Sequence, residues 1–579
     1  MFAARRVELQ PWRLRSRTPF LPCTFSPLHL FPLPFLPPDA KDQQPNCFPK
    51  PLPYSSARPV KFTTALNRHS VAFWFGTLYI LVGFGFHLPD YFASRGDHFI
   101  MSGAPMSHLM HFGMFLIVMG IALTAYGLFP SHSADTRDAS NDYQLHSMDD
   151  ARLNSKHWGL IFVLGIALVV DVMKPATLGF VVPGMRHEYG LTAKQASLLP
   201  LCAMIGTTLG SIIWGMLADK MGRRGSILLA SLIFIGTGIC GCMPAFEWNL
   251  FMCLLMGMSA GGMLPIVFAL LAEIIPSRHR GWLSVLVGGL GTAGGYLAAS
   301  GAAAWLEPLY SWRMLWLLNV PTGFLVILLS RFIPESPRFL LHEGRIEAAR
   351  KTLARFNIEL VQTTAPVSVE MQKHSARQLF KRPYAVLTFT VCLYGVAWGL
   401  VNWGFLTWLP TILQDYMNLD GKIANRLLAK AALFAVPGCL LVSFLYGFWS
   451  SKKTMILFAV CTAATLCGFA TFKSNDSTTW FSVLTVFLLI GLSGMIAMLT
   501  PYSVELYPTR FRATGGGVTA GSSKVGGVVG PAAVAFILSA FPGLAVPAIS
   551  LAVPLVAAAV TLAINGRETS GLKLEDIHR

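Results

Sequence analysis

Long apolar stretches alternate with short polar ones along this chain. Fourteen apolar runs stand out, at about 71–93, 109–129, 157–183, 196–217, 226–246, 250–272, 282–304, 313–333, 384–413, 428–449, 454–472, 480–500, 514–540 and 543–564. Most are close to the ~20 residues that an α-helix needs to cross the hydrocarbon core. Within that core, only helices and closed barrels satisfy their own backbone polar groups. The pattern therefore predicts an all-α membrane protein. The first two runs form a transmembrane hairpin (71–129), joined by a polar linker (130–156) to twelve further spans. Those divide into a six-helix bundle (157–340), a cytoplasmic loop (341–383), a second six-helix bundle (384–565) and a cytoplasmic tail (566–579). Within the loop, 345–357 reads as an amphipathic surface helix.

Composition agrees with the pattern. Of 579 residues, 54% are hydrophobic and 13% charged, which excludes an ordinary soluble domain. A net charge of +17 would suit nucleic acid, but its placement does not. The basic linkers, at 219–224, 278–280, 342–382, 452–453, 510–512 and from Arg567, all fall on one side of the twelve-span body. Lys and Arg near span ends mark the cytoplasmic face, so the charge orients a multi-pass protein of the cell membrane. Residues 1–70 are a disordered, basic, Pro-rich tail: 1–60 hold thirteen of the 36 prolines and show no helical period. Two readings fit residues 1–60, a targeting or regulatory tail and an upstream start codon, and the second is favoured. Eight of the ten cysteines lie in apolar runs and read as packing residues rather than disulfides or metal ligands. His87, Asp90, His108 and His111 border the hairpin turn; interfacial histidines are the favoured reading over a metal or proton site.

The two bundles repeat one another. Glu273-Ile-Ile-Pro276-Ser277-Arg278-His-Arg280 returns as Glu505-Leu-Tyr-Pro508-Thr509-Arg510-Phe-Arg512, 232 residues later. Gly215 and Gly294-Gly295 return as Gly447 and Gly526-Gly527 at the same offset. Three matches at one offset indicate a six-helix unit used twice.

The loop Gly215-Met-Leu-Ala-Asp219-Lys-Met-Gly222-Arg223-Arg224 resembles the loop between the second and third helices of the major facilitator superfamily. Gly215 would let two helices approach closely and Gly222 permits a sharp turn. Asp219 can pair with Arg223 or with a helix end. The second copy has Ser451 where the first has Asp219, which predicts a weaker gate contact there. Pro334-Glu335-Ser336-Pro337-Arg338 and Glu568-Thr569-Ser570-Gly571 resemble motifs of the sugar porters and organic ion transporters. Leu178-Gly179-Phe180 after Asp171, Trp408-Leu409-Pro410, and Lys524 ahead of Gly526 are more similar to the aromatic acid/proton symporters. That likeness covers about 157–577. It implies two six-helix repeats with the substrate between them. In one respect the chain departs from it: the second acid expected in the first bundle span is replaced by Lys174 or lost.

Charges inside spans are rare and costly, so each is a functional candidate. Asp171 and Lys174 lie one turn apart on one face; they form either a proton-exchanging pair or a permanent structural ion pair. Lys524 either contacts substrate or snorkels, and the resemblance implies a cation for an anionic substrate. Tyr394, Asn402 and Trp403, with Trp398 and Trp408, place aromatic and amide groups along the seventh bundle span, as a ring cradle or as plain packing. Lys430 near a span end snorkels. Glu273 with Arg278 and Glu505 with Arg510 are gate pairs, joining Gly215, Asp219, Gly222, Arg223 and Arg224. The leading reading is a monomeric secondary transporter that moves a small organic anion, a carboxylate, with protons by alternating access. Sugar, neutral-metabolite or drug transport, and a transporter-like sensor using residues 1–156, are the alternatives. Its partners are the solute, the proton and the lipid bilayer. No cofactor, metal, nucleic acid or enzymatic motif is expected.

Overall fold

The computed structural model describes residues 68–129, 143–146, 153–362, 379–382, 384–472, 477–507, 512–541 and 543–569. The 1–60 tail, Arg510 and the closing motif from Ser570 lie outside these residues; of Asp219 only the backbone is described. Fourteen helical segments among the described residues are long and apolar enough to cross a bilayer. They are α1 (His69–Asp97), α2 (His108–Leu128), α3 (Ser155–Tyr189), α4 (Ala193–Ala218), α5 (Arg223–Cys242), α6 (Phe246–Ile274), α7 (Arg278–Tyr310), α8 (Met314–Phe332), α9 (Ala385–Asp415), α10 (Gly421–Phe448), α11 (Ser451–Ala470), α12 (Thr478–Ser503), α13 (Gly515–Ala540) and α14 (Ala545–Asn565). Polar caps fix their starts: Asn154 accepts from two N–H groups of α3, and Ser107, Asp420, Ser450 and Ser477 do the same work for α2, α10, α11 and α12. Helices α3–α8 and α9–α14 face each other through α4 with α13, α7 with α10 and α12, and α3 with α9.

Three spans depart from simple apolar runs. Span α6 breaks at Gly261 and Gly262, where a Cβ would strike the Thr207 carbonyl and the Trp214 ring of α4. Span α9 contains a π-helical turn, Leu400–Leu406. Span α7 is helical over Ser277–Tyr310, through Pro308; its apolar core of 282–304 understates it, because Glu307 and Pro308 mask the last turn. The linker and the loop also hold something unforeseen. Strand β1 (Tyr143–His146) pairs antiparallel with β2 (Glu359–Gln362). Four residues are too few to carry a period-2 signal.

The hairpin is a packed part of the molecule. Gly76 faces Gly120 and Gly83 faces Gly113; a Cβ on Gly120 would sit 2.6 Å from the Gly76 carbonyl oxygen. Small residues one heptad apart thus bring α1 and α2 into backbone contact. Both helices then lie on α5, with Ile117 beside Gly236 and Phe84 beside Gly238. A buried ion pair ties the hairpin loop to the first bundle. The Arg313 guanidinium donates through Nη2 and Nε to Glu188, at 2.6 and 3.3 Å, and through Nη1 to the Gly241 and Met243 carbonyls. Glu188 also accepts from the backbone N–H of Met101 and Ser102 and from Trp312 Nε1. His87 and His111 spend Nδ1 on their own helices, at the Gly83 and Ser107 carbonyls. Asp90 accepts from the Ser107 hydroxyl.

Gly120→Leu is expected to force α1 and α2 apart, at an overpacking cost of about 1–3 kcal/mol. The purified variant should melt below wild type, whereas Gly159→Leu, with none of the described residues within 4 Å of its Cβ position, should not. Equal melting of the two variants would refute the close-packed hairpin.

Candidate functional site

Seven spans converge on a cavity of about 160 Å³ between the two bundles. That is close to the ~150 Å³ cavity size that admits benzene, so there is room for one ring with a small substituent. The walls are mainly apolar. Polar groups come from Asp171 on α3, Thr207 on α4, Thr292 and Tyr296 on α7, Asn402 and Trp403 on α9, Ser493 on α12, and Ser523 and Lys524 on α13.

The local sequence explains how these groups arrive. Asp171 and Lys174 share one face of α3, with Nζ 3.3 Å from Oδ1. Asp171 reaches the cavity wall, but Lys174 does not: its ammonium lies behind, 4.0 Å above the Phe234 ring of α5. The expectation that Lys174 contacts substrate is thereby corrected, because pairing and a cation–π contact hold it in the first bundle. Lys524 lies on the wall and donates to the Thr207 carbonyl at 3.3 Å, bridging the two bundles. Its glycine-rich surroundings permit this: a Cβ on Gly526 or Gly527 would strike α9, so α13 lies against α9. The π-turn changes the phase of α9 and presents both Asn402 and Trp403 to the cavity. Tyr394 is a second correction. It has no exposed surface, and its hydroxyl donates to the Met455 carbonyl of α11 at 3.3 Å. Trp408 packs likewise, donating to the Pro531 carbonyl. Lys430 is exposed on α10.

Tyr296, Thr207 and Ser493 escape sequence reasoning, since uncharged polar residues in spans are common. Tyr296 packs against Phe180 at 5.5 Å, and its buried hydroxyl has no partner among the described residues.

At the basic end each bundle carries a matching network. In the first, Glu335 accepts from the backbone N–H of Arg223 and Arg224 at the start of α5, and Ser336 donates to Glu273 at 2.5 Å. In the second, Glu568 accepts from the Ser451 N–H and hydroxyl, and Thr569 donates to Glu505 at 2.7 Å. Tyr446 also donates to Glu505. Burial raises the pKa of Glu335 and of Glu505; these donors oppose the shift. Gly222 supplies the left-handed turn (φ +85°), and a Cβ there would meet Glu335 at 2.6 Å.

Several gate expectations change. Glu273 faces Arg223, at 3.9 Å, and Ser336 rather than Arg278, which is exposed; the turn at Pro276 sends Arg278 outward. Gly215 serves no close approach among the described residues, none of which lies within 4 Å of its Cβ position. The tight α4–α6 contact falls at Gly206 and Gly210 instead. Ser451 takes part in the second network through both its N–H and its hydroxyl. The Asp219 side chain and Arg510 lie outside the described residues.

At the opposite end, polar contacts cross between bundles: Arg186 of α3 with Asp415 of α9 at 2.5 Å, and Asn425 of α10 with Glu307 of α7.

Residues 161–531 match the family model of the Major Facilitator Superfamily. A niacin transporter of Acinetobacter baylyi is 26% identical over 434 residues, 73% of this chain and 96% of that one. A 4-hydroxybenzoate transporter of the same organism is 28% identical over 420 residues, 68% and 89% of the two chains. Among solved structures, the partially occluded inward-open xylose transporter XylE from E. coli superposes with a TM-score of 0.59 at 16% identity, covering 72% of this chain and 100% of that one. At that identity the likeness is one of fold.

Proposed function

Because this chain belongs to the Major Facilitator Superfamily, whose members are multi-pass transporters and not enzymes, we propose that it carries a small aromatic monocarboxylate together with a proton. One observation carries this reading: of the two charges on the cavity wall among the described residues, Asp171 is matched by Lys174 behind it, which leaves the Lys524 ammonium as a surplus cation on the wall. A desolvated cation attracts one anionic group, and Trp398 and Trp403 offer faces for a ring. The niacin and 4-hydroxybenzoate relatives support the class of substrate.

The proton enters through the same charge count. An Asp171 carboxylate that takes a proton from water no longer neutralises Lys174. Positive charge at the site then rises by one, and a carboxylate binds more tightly. When the substrate leaves, Asp171 gives up its proton and pairs with Lys174 again. Proton and anion thus favour each other's binding, as symport requires. The Arg186–Asp415 and Glu307–Asn425 contacts, which cross between the bundles, close the end opposite the basic loops in one of the two states.

The test is uptake of labelled nicotinate, benzoate and 4-hydroxybenzoate into proteoliposomes, with and without an inward proton gradient. Gradient-driven uptake of at least one acid is expected. Asp171→Asn should lose the acceleration by the gradient while still exchanging labelled for unlabelled acid. Absence of uptake and of exchange for all three acids would refute the carboxylate reading; an Asp171→Asn variant still driven by the gradient would refute the role of Asp171.

A further inference from the structure

The contact between Glu307 and Asn425 lies one turn from the end of each helix, at the end opposite the basic loops. It joins the two bundles. Asn425 is buried, and Glu307 is partly so. Asn425 Nδ2 donates to Glu307 Oε2, while Asn425 Oδ1 is buried with no partner among the described residues.

That orphan oxygen bears on the protonation state of its neighbour. A primary amide offers a donor edge and an acceptor edge. An ionised carboxylate offers acceptors only, so it satisfies the N–H and leaves the amide oxygen unpaired. A neutral carboxyl offers one O–H donor and one C=O acceptor, and the two groups can then form a cyclic pair of hydrogen bonds. A buried acceptor left without a donor loses its hydration with no return, and protonation of Glu307 removes that cost.

The charges nearby do not offer a better partner. Asp420, at the start of α10, repels an ionised Glu307. Lys422, Arg426 and Lys430 of α10 are exposed. Arg186 is held by Asp415, and Arg313 by Glu188. Span α12, which also packs on α7, carries no charged residue.

We propose that Glu307 is a second proton-binding residue, which on taking a proton latches to Asn425 and closes the gate at the end opposite the basic loops. The inference rests on the alternating-access reading above. When the gate opens, Glu307 meets water and exchanges its proton there. When it closes on the neutral form, both edges of the Asn425 amide are satisfied. Protons on that side then favour closure over the loaded cavity, in addition to their effect at Asp171.

The test uses the accessibility of a cysteine placed at Ala303, one turn below Glu307 and buried. Its labelling by a hydrophilic maleimide is measured in purified protein relative to the exposed native Cys467, at about pH 5 and about pH 8. In the Ala303→Cys protein the relative rate should fall roughly 3- to 10-fold on acidification, the worth of about one hydrogen bond. Glu307→Gln, whose amide mimics the neutral carboxyl, should be slow at both pH values; Glu307→Ala should be fast at both. A pH response that persists in Glu307→Gln, or is absent from the Ala303→Cys parent, would overturn the proposal. The readout needs no substrate, so it stands apart from any failure of the carboxylate reading.

Discussion

Lys524→Ala is expected to abolish carboxylate uptake while leaving the protein folded. Lys524 is the surplus cation of the cavity, and its visible bond is to a backbone carbonyl, Thr207. An anion replaces that weak acceptor with a charge-assisted one. Truncating one partner of such a desolvated pair costs about 2–5 kcal/mol, at least roughly 30-fold in apparent affinity. Lys524→Arg keeps the charge and should retain part of the affinity. Lys430→Ala, at an exposed position, is the control. Direct binding of nicotinate and benzoate by calorimetry, with melting curves to confirm folding, would check this. If Lys524→Ala binds and transports like wild type, the anion site lies elsewhere.

The largest expected effect on stability comes from Glu188→Ala. Arg313 has no exposed surface, and it stacks 4.6 Å from the Trp312 ring centroid while donating to Glu188, Tyr189 and two carbonyls. Removing Glu188 leaves a buried guanidinium without its counter-charge, at about 3–5 kcal/mol. It also frees the N–H groups of Met101 and Ser102, which loosens the hairpin loop. The exposed pair Arg350–Glu347, 57% and 86% accessible, is the comparison, since such pairs contribute about 0–1 kcal/mol. Melting temperatures of the purified variants should fall far more for Glu188→Ala than for Glu347→Ala. Similar shifts would mean that the Arg313 network does not hold the first bundle together.

The same contacts show where reading the chain as text reaches its limit. Asp171 and Lys524 were legible because an ionisable residue in a span is expensive wherever it sits, and both line the cavity. Lys174 satisfies that rule equally, yet it faces Phe234; which side of a helix meets the cavity depends on helix packing. Asn402 and Tyr394 lie eight residues apart on one span that includes the π-turn at Leu400–Leu406, and of the two only Asn402 is on the wall. No propensity announces such a turn. Glu307 was hidden because Glu and Pro in the last turn of α7 read as loop.

Sequence by itself determined the span count, the side on which the basic loops gather, the doubling of a six-helix unit and its family. These follow from the thickness of a bilayer, the cost of charge within it and a repeat at one offset. Tertiary structure alone decided which polar groups far apart in the chain meet. It paired Glu273 with Ser336 and Arg223 rather than Arg278, fastened the hairpin through Glu188, and set Asn425 against Glu307. Each of these joins residues far apart in the chain, at helix ends where a few degrees of tilt select the partner, and local pattern carries no information about tilt.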